Sequence, residues 1–85
     1  MRIIDDKTTT AEPSAKDMFE ELGYKLSENS NDFIIYVHKE LGAIMFGMRY
    51  RDVLVGNTQG MARVIKPKEI RAINKMMEEL NWNEY

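Results

Sequence analysis

The side chains able to act as acid, base or nucleophile are few, and their spacing suits no common reaction. The chain has one histidine, His38, flanked by Lys39 and Glu40, and no cysteine. A metal centre or a catalytic triad needs further ligands or a nucleophile beside that imidazole. Nothing in the neighbouring sequence supplies them, so His38 reads as a solvated residue at a strand end. Asp5-Asp6 sits in a segment without helical period, where a carboxylate pair lacks the preorganisation that acid–base chemistry requires. Glu20-Glu21 and Glu78-Glu79 fall on solvated helix faces. Gly56-Asn57-Thr58-Gln59-Gly60 has neither the lysine nor the spacing of a phosphate loop and reads as a turn. The expectation is a non-enzymatic protein with no cofactor and no metal.

Two constellations suit binding instead. On one strand Phe33, Ile35 and Val37 alternate with Ile34 and Tyr36, so whichever set turns inward leaves large apolar side chains outside. Phe33, Ile35, Val37 and Met45 form a candidate protein interface, and self-pairing into a homodimer is one way to cover it. The competing reading is cover from within the chain, by the first dozen residues or by residues 53–65. Further along, Arg49, Tyr50 and Arg51, with Tyr36 as a further candidate member, form a candidate basic and aromatic platform for single-stranded nucleic acid. There the competing reading puts the tyrosines in the core and the arginines at strand edges, where charge discourages aggregation. A formal net charge of −2 weighs against nucleic acid, although residues 31–66 are richer in basic than in acidic residues.

Composition bounds what must position these groups. Eighty-five residues hold one core, and the balance of 44% hydrophobic to 31% charged residues is that of a folded globular domain. Lack of cysteine fits a reducing compartment, and no apolar stretch approaches the ~20 residues of a membrane span. A cytoplasmic protein is expected. Residues 1–13 read as a flexible arm, in which Arg2-Ile3-Ile4 could add a short edge strand. Residues 14–85 read as a single domain.

Within it, Ser14 with Asp17 three residues on approximates a capping box, and Ala15, Met18, Phe19 and Leu22 recur at helical spacing. Gly23 should end that helix in the left-handed conformation, with Tyr24 folding back. Strands follow at Tyr24 to Glu28, Phe33 to His38, Ala43 to Tyr50 and Val53 to Val55, separated by turn residues. Pro67 opens a second helix whose stripe is Ile70, Ile73, Met76, Met77 and Leu80. Its cap position holds Lys66, which offers no acceptor, so a frayed first turn is expected with Glu69 left to neutralise the helix start. Asn81 and Trp82 repeat the Gly23-Tyr24 helix stop, which makes Trp82 a buried structural residue.

The fold class expected is therefore α+β: an antiparallel meander of three to four strands with an N-terminal and a C-terminal helix packed on one face, in the order α-β-β-β-β-α. The expected core includes Met18, Phe19, Leu22, Leu26, Tyr36, Ile44, Phe46, Ile70, Ile73, Met77 and Leu80.

The Leu22-Gly23-Tyr24 helix end, the strands Phe33-Ile34-Ile35-Tyr36 and Ile44-Met45-Phe46, and the closing helix with Glu78-Glu79-Leu80-Asn81-Trp82 together resemble small uncharacterised phage and prophage proteins of Gram-positive bacteria. That resemblance implies a phage origin and transfers no catalytic residue. Combined with the apolar strand, it gives an expected function of non-enzymatic accessory protein acting by protein–protein binding. A nucleic-acid-binding module is the alternative.

Overall fold

The structure is a computed structural model that describes residues 13–82. The expected N-terminal arm, including Arg2-Ile3-Ile4 and Asp5-Asp6, lies outside the described residues apart from Pro13. Six elements follow in the order α1 (Ala15–Glu21), β1 (Lys25–Asn29), β2 (Phe33–His38), β3 (Gly42–Gly47), β4 (Asp52–Gly56) and α2 (Pro67–Glu79). The strands form one antiparallel sheet in sequence order, β1-β2-β3-β4. The α+β architecture is the one the apolar periodicities predict.

Both helices end on the same device. Tyr24 N–H donates to the Phe19 carbonyl (3.0 Å) and Gly23 N–H to that of Glu20 (3.0 Å), while Trp82 N–H donates to Met77 (2.8 Å) and Asn81 N–H to Glu78 (3.0 Å). Gly23 (φ 98°) and Asn81 (φ 63°) supply the left-handed turn, so each chain end doubles back and lays an aromatic ring on the core. Ser14 Oγ caps α1 by accepting from Asp17 N–H at 3.1 Å. The Ala15 amide at the same end is taken by a Glu79 carboxylate oxygen at 2.8 Å, which ties the start of α1 to the end of α2. That contact gives Glu79 more than the solvated role expected of it.

Phe19 is the hub of the core. It stacks on Tyr36 (centroids 4.3 Å apart) and meets Tyr24 and Phe46 edge-on at 5.6 and 6.0 Å. Ile44, Phe46, Ile73, Met76 and Trp82 complete the layer, with Ile34, Val53 and Val55 packed against it. Tyr36 and Ile34 thus decide the inward side of β2. Two expected core members lie outside: Leu26, on an edge strand broken by a bulge before Glu28, is 36% exposed, and Ile70 is 44% exposed. Of the expected α2 stripe, Ile73 and Met76 are buried and Met77 and Leu80 pack against the core, while Ile70 turns outward and Ala72 is buried in addition.

The third hairpin also differs from expectation. β3 stops at Gly47, and the reversal occupies residues 48–51, where Arg51 takes up φ 56°. Tyr50 is therefore at a turn tip, 78% exposed, and not on the inward face of a strand. At the other end of β3, Gly42 adopts φ 116°, and a Cβ there would fall 2.1 Å from the Gly56 carbonyl oxygen. Only glycine allows β3 to begin so close to the end of β4.

Candidate functional site

The antiparallel register sorts the sheet into two faces. Opposite the helices, three rows of side chains cross the strands: Phe33, Gly47 and Asp52; Ile35, Met45 and Leu54; Val37, Ala43 and Gly56. No described helix or strand packs on this outer face. Phe33 and Val37 are each 40% exposed and Leu54 is 63% exposed, while Ile35 and Met45 are half-buried by their neighbours. All four candidate interface residues, Phe33, Ile35, Val37 and Met45, therefore share one surface. Residues 53–65 leave these side chains exposed: 53–56 lie in β4 itself, and in the turn that follows the Met61 carbonyl oxygen lies 3.5 Å from the place of a Cβ on Gly56, at one corner of the face.

Leu54 was not singled out from sequence because Val53-Leu54-Val55 is apolar throughout and carries no alternation to assign a face. The second missed feature is a depression beside Gly47. It has a volume of about 490 Å³, and its lining includes Phe33, Met45, Leu54, Tyr50, Asp32 and Asp52. Glycine leaves the space, and the Asp52 carboxylate leans into it, with Oδ1 2.4 Å from where a Cβ on Gly47 would stand.

Arg49, Tyr50 and Arg51 are brought together at the β3–β4 turn, all exposed. Tyr36 is not with them; it is buried against Phe19 on the opposite face. The nucleic-acid platform thus reduces to one hairpin tip, and the competing placement of Tyr50 in the core is equally displaced.

His38 is half-buried and not the solvated residue expected. Its Nδ1 accepts from the backbone N–H groups of Glu40 (3.0 Å) and Leu41 (3.1 Å), which closes the β2–β3 turn. Its ring meets Tyr24 edge-on at 5.1 Å. An imidazole nitrogen engaged by two amides has no lone pair left for a metal or a substrate proton.

The strongest polar cluster is buried beneath the loop before α2. Tyr24 Oη donates to Glu69, Arg63 Nη2 donates to Tyr24 Oη at 2.6 Å, and Arg63 grips both Glu69 oxygens at 3.2 and 3.0 Å. Arg63 also reaches the Gly56 and Val64 carbonyls, and Lys66 N–H donates to Glu69 at 2.9 Å. Burial pushes Glu69 up, but the hydrogen bonds from Arg63, Tyr24 and the Lys66 backbone outweigh it and hold the carboxyl below its usual range. Burial and donation to Glu69 push the Tyr24 hydroxyl up to about 12. Far from fraying, the first turn of α2 is fastened by its acid. Lysine accepts nothing, so only the returning half of a capping box forms here. Every member already has partners inside the protein, which marks the cluster as a structural clamp.

Among the described residues no group of three His, Cys, Asp or Glu side chains is arranged to hold a metal ion, and no helix is long and apolar enough to cross a membrane. No protein-family model, curated protein or solved structure matches this chain.

Proposed function

We propose that the protein acts without catalysis, as an accessory protein of the phage or prophage type, by binding another protein surface through the outer face of its sheet. The observation that carries this reading is the row Ile35, Met45 and Leu54, which no other described element covers, flanked by exposed Phe33 and Val37. Contiguous apolar surface of this kind, rimmed by Lys25, Glu28 and Asp52, has the composition of an interface core with a polar border. The nucleic-acid alternative has less support, since its aromatic and basic groups come from a single turn.

A photo-crosslinking amino acid placed at Leu54, and at Lys68 on α2 as a control, tests the reading in the producing cell. Discrete adducts of defined mass at Leu54 that disappear with Phe33→Asp are expected. Absence of any adduct at Leu54, or equal adducts at Lys68, would remove the reading.

A further inference from the structure

Along its two central strands, β2 and β3, the outer face is self-complementary in one direction. In each row the residue on β2 is larger or more rigid than its neighbour on β3: Phe33 beside Gly47, Ile35 beside Met45, Val37 beside Ala43. A two-fold axis parallel to the strands, between β2 and β3, lays β2 of one copy over β3 of the other at the same level. Each large side chain then faces the small or flexible one, and Phe33 enters the depression above Gly47. An axis perpendicular to the strands would bring Gly47 over Ala43 instead and leave a void, which close packing disfavours. Resting on the reading of this face as a protein-contact surface, we infer that its occupant is a second copy of the chain, joined about the strand-parallel axis with Phe33 of each copy seated over Gly47 of the other.

The face is small. Four strands about 4.8 Å apart and about five residues long give a footprint of roughly 300–350 Å², against the ~800 Å² per partner of a typical stable complex. Side-chain relief, Tyr50 and Leu54 add to it, but the dimer belongs at the small, weakly associating end. The Asp52 carboxylate now leans over Gly47 and must swing aside to admit the ring, so its removal tightens the pair.

Sedimentation of the full chain from about 1 µM to several hundred µM should show reversible monomer–dimer exchange. Phe33→Asp and, separately, Leu54→Asp should give monomers with an unchanged melting temperature, and Asp52→Ala should lower the dissociation constant several-fold. Because the chain has no cysteine, single-cysteine variants report the axis. Ile35→Cys lies near its own copy under either axis, whereas Val37→Cys does so only under the strand-parallel one. A short bismaleimide should therefore cross-link both. Cross-linking of Ile35→Cys without Val37→Cys would overturn the stated geometry. A wild-type monomer at every concentration, or a dimer indifferent to both Phe33→Asp and Leu54→Asp, would overturn self-pairing. Photo-adducts at Leu54 bearing a foreign mass would then still support the broader reading, while their absence would end it too.

Discussion

Tyr24, the residue that doubles back after α1, donates its hydroxyl hydrogen to Glu69 in the first turn of α2, 45 positions later. Arg63 binds both groups, so three residues from three segments share one buried network. Its members are far apart in sequence, yet they hold the entry to α2 against the exit from α1.

Removing one partner leaves the other charged and desolvated. Glu69→Ala and Arg63→Ala should each cost about 3–5 kcal/mol, given side-chain exposures of 3% and 11%. The triple variant Tyr24→Phe, Arg63→Met, Glu69→Met should lose less than either single change, because no orphaned charge remains. Urea titration of the four proteins checks the order, and additive losses would refute the network.

The same cluster sets the response to pH. Tyr24 titrates near 10 when unfolded and about 12 when folded, so the unfolded state gives up its proton first. Stability is intact below pH 10 and should fall by roughly 3 kcal/mol as pH rises through 12. Tyr36, raised by burial and then by the charges of Glu20 and Glu79, adds in the same direction. Glu69 has the opposite sign: its contribution is present above the unfolded carboxyl range and is lost as pH falls through its lowered folded value. Tyr24→Phe should flatten the alkaline limb of a melting-temperature profile, and an unchanged limb would contradict the assignment.

Trp82 is 6% exposed, with its ring centroid 6.3 Å from that of Phe46. Trp82→Ala should cost about 3–5 kcal/mol, much of what a domain this small possesses. Native fluorescence should be blue-shifted relative to the unfolded chain. A water-exposed emission maximum with an unchanged melting temperature would refute the burial.

Affinity for single-stranded DNA or RNA should be negligible at physiological salt, because the exposed Arg49-Tyr50-Arg51 tip offers one aromatic ring on a net anion. Fluorescence anisotropy with labelled oligonucleotides checks this. Tight, salt-sensitive binding abolished by Arg49→Ala with Arg51→Ala would reinstate the nucleic-acid reading.

What could be read from sequence was whatever local spacing encodes. The repeated Leu-Gly-Tyr and Leu-Asn-Trp stops, the Ser14 cap and the strand Phe33–His38 each depend on residues within a turn of one another, and the structure has all of them. The inward side of β2 was not legible, because Phe33 to Val37 is apolar on both faces and only docking on Phe19 chooses Tyr36. Met48 and Tyr50 continue the alternation of β3, which hid the turn at residues 48–51. The Tyr24–Arg63–Glu69 clamp left no local trace, since it exists only once the loop before α2 lies across the end of α1.

The central claim is that the outer face of the sheet is covered when the protein works. Hydroxyl-radical footprinting in the producing cell, compared with the purified chain diluted well below its association range, reads this directly. Phe33 and Met45 lie on that face, and Met18, half-buried on the helix side, serves as the reference. The account predicts that oxidation of Phe33 and Met45 falls several-fold in the cell while that of Met18 does not change. Equal oxidation of Phe33 and Met45 in the two conditions would contradict it.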